Sequence, residues 1–317
     1  MKNNSMLSKI WNFRDIGDQL LYVYEKLVKK DWTANQTNAH SLRQELARYR
    51  PELNDSTTII LHQKNVKINE TIKQVYSKEP IKITPEIFHR LSKSDPIGLP
   101  KGKRYHSCAL VGNSGSILHS GCGERIDKHD YVIRCNLAPL APFKVDAGLK
   151  NDYITMNPSI IRTRYRRFRT RKAIKKFNVD VSKYSGILSI PCFGIRLPEV
   201  MKAFKLFKGK KPKMACMNTK HFQSVIDFWG STGAIDKGLS TGFYMVSMAI
   251  QLCDEIDLYG FWPFSSRFES NKTDVAYHYF DNIRPDTAEK HHAMDQEFSI
   301  IVQLHNLGIV NLNIGSC

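Results

Sequence analysis

Between residues 10 and 27 the apolar side chains Ile10, Phe13, Ile16, Leu20, Tyr24 and Leu27 recur every three or four positions, with Lys and Asp between them. That period predicts an amphipathic helix. Helix-compatible segments rich in Asn, Gln and charge continue to about residue 95, where SKSDPIGLPKGK, Ser92 to Lys103, concentrates Pro, Gly and charge as a connector does. Beyond it the pattern changes. Short β-branched runs at Cys108 to Val111, Tyr131 to Cys135, Tyr153 to Met156, Gly186 to Ile190, Ile256 to Phe261 and Ile309 to Ile314 alternate with longer helix-like ones. The chain therefore divides into an N-terminal helical, stem-like region, 1–95, and an α/β domain, 96–317, with a mostly parallel central sheet flanked by helices. No internal repeat is visible.

The chain has 317 residues, 42% hydrophobic and 10% aromatic, enough to bury a core and too apolar for a disordered protein. Its longest apolar stretches, 243–252 and 256–264, fall short of the roughly 18 residues that span a bilayer. The first thirty residues lack the pattern of a secretory signal. Asn-x-Ser/Thr occurs at Asn3, Asn35, Asn54, Asn69 and Asn271, more often than chance gives, which favours a luminal or extracellular chain. Disulfides are then permitted, and Cys317 at the last position is placed to tie down a terminus. No Cys-x-x-Cys pair suggests zinc.

Two turns fit the template of a phosphate site, the second of them equally an ordinary helix cap. Ala109 to Gly115, ALVGNSG, is a strand running into a glycine turn, with neither the G-x-G-x-x-G spacing of a dinucleotide site nor a Walker lysine. Leu239-Ser240-Thr241-Gly242 precedes an apolar helix that Ser240 or Thr241 would cap, leaving N–H groups for an anion.

The ordered set of segments says more. CALVGNSGSILHSGCGERIDKHDYVIRCNLAP at 108–139, KGLSTGFYMVSMAIQLCDEIDLYGFWPF at 237–264, YHYFDN at 277–282 and HHAMDQEF at 291–298 resemble the large, small, third and very small sialylmotifs of animal sialyltransferases. GNSG with CNLAP, YGFWPF and the terminal Cys resembles the α2,8 branch more narrowly. The resemblance covers residues 105 to 317. It implies a modified Rossmann-like (GT-A-like variant) catalytic domain in the Golgi lumen, moving sialic acid with inversion from CMP-sialic acid to a sialylated glycolipid or glycoprotein. It also implies a type II membrane anchor, which this sequence lacks. A departure stands at Asp295, where the family usually carries Pro.

Residue by residue, the resemblance assigns the general base to His292 in HAMDQE, with His291 outside the match and Glu297 orienting the loop. His278 becomes the donor to the CMP phosphate. Asn113 and Asn136, at the ends of two strands, offer amides to the nucleotide, as do Ser240, Thr241 and Gly242 through hydroxyls and backbone N–H. Trp262 walls the nucleotide or belongs to the core, and Asn157 and Ser159 in MNPS are further donor contacts. Family pairing implies disulfides Cys108 to Cys253 and Cys122 to Cys317, leaving Cys135, Cys192 and Cys216. No Asp-x-Asp occurs, and a single phosphate leaves with CMP, so the chemistry calls for no metal or other cofactor.

Lys and Arg number 47 against 30 acidic residues, a net charge of +17. Nine of the fifteen residues from Arg162 to Lys176, RTRYRRFRTRKAIKK, are basic, and a second cluster runs from Lys202 to Lys213. With Tyr165 and Phe168 interleaved, the run also fits a basic α/β nucleic-acid binder. Against that rival, no nucleic-acid fold signature is present. A sialylated acceptor is itself anionic, so Arg166, Arg167 and Arg169 become candidate acceptor contacts, the alternative being that the run is a solvated helix face. A sialyltransferase of another linkage is the remaining alternative.

Overall fold

The structure is a computed structural model that describes residues 31–317 apart from 74, 76–78, 234, 236–237, 268–269 and 282–291. The amphipathic segment at 10–27, the sequon at Asn3 and His291 lie outside the described residues. In chain order the main strands are β1 (Ile60–Leu61), β2 (Tyr105–Val111), β3 (Tyr131–Arg134), β4 (Tyr153–Thr155), β5 (Ile187–Pro191), β6 (Lys213–Met217), β7 (Cys253–Tyr259) and β8 (Asn311–Asn313). The helices used below are α1 (Gln36–Tyr49), α2 (Pro158–Thr163), α3 (Arg171–Val181), α4 (Leu197–Leu206), α5 (Thr241–Leu252) and α6 (Met294–Asn306).

Two compact units divide the chain. The first holds residues 31–54, 104–150 and 225–317; the second holds 55–103 and 151–224. In the first, the parallel order β3-β2-β7-β8 brings Leu110 of β2 beside Ile133 and Leu258. All three are fully buried, as a strand covered on both faces requires. Helix α5 packs on β2 and β7 with its Phe243, Tyr244, Met245, Val246 and Met248 buried, and α1 packs on α5 in turn. Leu42 and Leu46 of α1 are fully buried, each contributing about 2 kcal/mol. The Arg43 guanidinium closes the end of α5 by donating to the carbonyls of Ile250 and Cys253. Asp257 of β7 accepts from His129, Asn311 and Asn313, which anchors β8.

In the second unit β4, β5 and β6 run parallel and β1 is antiparallel on β6. β6 is absent from the sequence-derived strands because its Lys-Met-Ala-Cys-Met lacks β-branched residues and follows a run of lysines. The basic run from Arg162 is not one helix. It leaves α2, makes a left-handed turn at Arg166, Arg167 and Phe168 (φ 48°, 53° and 57°), and enters α3.

Three disulfides are present: Cys108–Cys253 and Cys122–Cys317 in the first unit, and Cys192–Cys216, which the sequence reading left unpaired, in the second. Cys135 is a buried free thiol. Among the described residues no helix is long and apolar enough to cross a membrane.

Candidate active site

In the first unit, β2 has β3 on one side and β7 on the other, so the direction in which the sheet is built reverses there. Ligands of open α/β sheets gather at such a point, beyond the carboxyl ends of the strands. Three turns meet at that edge. Gly112, just past β2, lies so close to Gly260, just past β7, that a Cβ on Gly112 would come within 2.4 Å of the Gly260 carbonyl oxygen. Gly260 has φ 66°, so both positions call for glycine. The Ser114 N–H donates to Gly260 O at 3.1 Å, and the Gly115 N–H to Ala276 O at 2.9 Å. The Tyr279 N–H donates to Asn113 O at 2.8 Å, which pins the Tyr277–Asp281 segment onto the GNSG turn. Among the described residues the buried Asn113 Oδ1 has no hydrogen-bond partner. Asn136, past β3, is half-buried with φ 53°.

Ser240 caps α5, its Oγ accepting from the Phe243 N–H at 3.0 Å. Its own N–H and hydroxyl donate to the two oxygens of Glu297 at 2.6 and 2.5 Å. Glu297 is 3% exposed. Burial pushes its carboxyl up to about 7; the two bonds from Ser240 oppose this and nearby Asp295 adds to it. Thr241 and Gly242 are half-buried in the first turn of α5, where Gly242 comes close to the Phe261 ring.

His292 Nδ1 lies 2.8 Å from the Gly238 carbonyl. A carbonyl only accepts, so Nδ1 carries the proton and Nε2 keeps the lone pair in the neutral ring. His278 Nδ1 lies 2.8 Å from Asp281 Oδ2 and its ring stacks on Phe280 at 5.0 Å. Tyr277, one residue before His278, has its hydroxyl pKa raised, by burial first and then by the electrostatic influence of Cys135, Glu297 and Asp281. Trp262 is buried edge-on against Phe264 and Phe298, so its ring packs among aromatics rather than standing open as a stacking platform.

The other expected residues lie in the second unit. Asn157 precedes α2 and is half-buried, and Ser159 lines a cavity with Arg166, Arg167 and Arg169. Sequence reasoning did not single out Arg162 or Arg196, which line the same cavity, nor the Gly238 carbonyl and Asp281, which orient the two histidines. Asn35, Asn54 and Asn69 are exposed, as a glycan requires; the side chain of Asn271 lies outside the described residues. No group of three or more His, Cys, Asp or Glu side chains is gathered as metal ligands among the described residues.

Residues 60–309 match glycosyltransferase family 29 (sialyltransferase). The chain is 33% identical to the alpha-2,8-sialyltransferase 8F of Mus musculus, over 99% of this chain and 77% of that protein. It is 35% identical to the Homo sapiens alpha-2,8-sialyltransferase 8F over 81% of this chain, and the match spans 64% of the human protein, just under two thirds. A crystal structure of a mammalian sialyltransferase in complex with Gal-beta-1-3GalNAc-ortho-nitrophenol is similar at 22% identity and TM-score 0.49, over 95% of this chain and 87% of that one. With well over half of its residues inside the family match and a relative one-third identical across nearly its whole length, the chain belongs to glycosyltransferase family 29, the sialyltransferases.

Proposed function

We propose that the chain transfers sialic acid from CMP-sialic acid to the terminal sialic acid of a glycolipid or glycoprotein glycan, forming an α2,8 linkage with inversion and no metal. The α2,8 assignment rests on the names of its relatives and on GNSG, CNLAP and YGFWPF. In this reading His292 Nε2 takes the proton of the acceptor hydroxyl while that oxygen bonds to the anomeric carbon. The bond from that carbon to the phosphate oxygen breaks, and CMP leaves with the electron pair. A single displacement of this kind inverts the centre. His278, held by Asp281, gives an N–H to the departing phosphate, and Asn113, Asn136 and the Ser240–Gly242 turn hold the nucleotide. Trp262 backs that pocket. Asn157 and Ser159 enter as secondary donor contacts, and Arg166, Arg167 and Arg169 as contacts to the anionic acceptor.

One observation carries the mechanism: the His292–Gly238 hydrogen bond, which sets the tautomer a general base needs. Three disulfides and the exposed sequons support work in the Golgi lumen, where the animal members of this family act. The test is an assay of the purified chain with CMP-sialic acid against matched glycans ending in galactose, α2,3-sialic acid or α2,6-sialic acid, with product linkage read by NMR. New α2,8 bonds on sialylated acceptors alone are expected. Transfer to the galactose-terminated glycan would assign another linkage, and no transfer to any glycan would overturn the reading.

A further inference from the structure

The second unit contains a cavity of about 740 Å³ whose wall carries five arginines, Arg162, Arg166, Arg167, Arg169 and Arg196. Arg167 pairs with Glu199 at 3.3 Å. The other four guanidinium groups have no carboxylate partner among the described residues. Arg162, Arg166 and Arg169 are exposed and Arg196 is half-buried, so the wall presents unpaired positive charge to which an anion is drawn.

The backbone beneath them is held against its preference. Arg166, Arg167 and Phe168 all lie in the left-handed region, which residues with a Cβ disfavour and which Asn, Asp and Gly tolerate best. Phe168 pegs the turn. It is 3% exposed, with its ring 6.3 Å from Tyr165 and 5.0 Å from Phe177. Seating that ring requires the turn but does not require arginine on it. Two arginines at positions where Asn or Gly would relax the chain therefore answer to charge at the cavity. Thr170 adds a hydroxyl: its Oγ1 accepts from the Ala173 N–H at 3.2 Å, which leaves its O–H to donate.

We infer that this cavity binds a glycan bearing two or more neighbouring carboxylates, so that the favoured acceptor is a di- or oligosialylated chain. The inference rests on the proposed function for the class of anion; the charge count comes from the cavity. One carboxylate accommodates one bidentate fork, with room for a second guanidinium at its outer lone pairs. Four unpaired guanidiniums exceed what one sialic acid satisfies, and the volume lies in the upper part of the roughly 300–1,000 Å³ range of small-molecule sites.

Calorimetry on the whole chain at low salt, with mono-, di- and trisialic acid as titrants, tests this directly. Disialic acid should bind on the order of tenfold tighter than monosialic acid, about 1.4 kcal/mol. A dinucleotide of equal charge should bind more weakly than disialic acid. In the triple variant Arg166→Asn, Arg169→Gln, Arg196→Gln the preference should collapse while CMP binding stays unchanged; Asn is chosen because it adopts the left-handed turn readily. Arg196→Gln alone, outside that turn, should shrink the preference without touching the strained segment. Equal binding of mono- and disialic acid, an unaltered preference in the variants, or equal affinity for the dinucleotide would overturn the inference. A chain that prefers disialic acid but transfers nothing defeats the proposed function instead. One that sialylates monosialyl acceptors while binding mono- and disialic acid equally defeats this inference alone.

Discussion

Glu297→Gln separates a structural carboxylate from a charged one. Glu297 is 3% exposed, and its oxygens accept from the N–H and hydroxyl of Ser240 at 2.6 and 2.5 Å. Burial, the largest influence, moves its pKa from 4.5 to about 7 against the two Ser240 bonds, and Asp295 adds to the rise. The sign follows. Below pH 4.5 the carboxyl is protonated in both folded and unfolded chains, so burial carries no charge penalty. Between there and pH 7 the unfolded chain ionises first, and folding stability falls. Above pH 7 the loss is complete and, for a rise from 4.5 to about 7, comes to about 3 kcal/mol. Gln keeps the shape and an acceptor for the Ser240 N–H but does not titrate. Urea melts of the two proteins across this pH range should therefore show the variant gaining about 3 kcal/mol on wild type from acid to pH above 7. A difference that stays flat with pH would refute the claim that Glu297 is held dry and neutral beside Ser240.

Activity should persist in EDTA, because the sequence has no Asp-x-Asp and the leaving group carries one phosphate; loss of turnover restored by Mn²⁺ would contradict this. Cys135 is buried, and burial pushes its thiol up to about 12, so iodoacetamide at pH 8 should label it only after unfolding. Cys122–Cys317 closes a loop of 195 residues, and the chain-entropy relation gives such a closure about 5 kcal/mol. Replacing both cysteines by Ser should lower the melting temperature accordingly, with the pair itself checked by non-reducing peptide mapping.

The parallel strands are legible in sequence because strands covered on both faces are written in β-branched and aliphatic residues: Val132 and Ile133 of β3 and Ile187, Leu188 and Ile190 of β5 stand out without any context. β1 escapes such reading, since two residues, Ile60 and Leu61, carry no periodicity. Ser240 announces itself as a cap through the apolar helix behind it. Gly238 does not, because its part is played by a carbonyl that every residue possesses, and only the fold brings it to His292. The same holds for Arg196, 27 positions beyond Arg169 and yet on the same cavity wall. The left-handed turn at Arg166–Phe168 runs against local preference; its cause is the burial of Phe168 beside Tyr165 and Phe177, a tertiary effect with no Gly or Asn to signal it.

The central claim is that His292 Nε2 removes the acceptor proton. The most direct measurement compares single-turnover transfer by wild type and His292→Ala at saturating donor and acceptor, with CMP-sialic acid affinity measured separately by calorimetry. The variant should bind the donor as wild type does while the transfer rate falls about 10²- to 10⁴-fold, the usual share of general base catalysis. A variant that transfers at close to the wild-type rate, or that loses donor affinity in proportion to its rate, would contradict it.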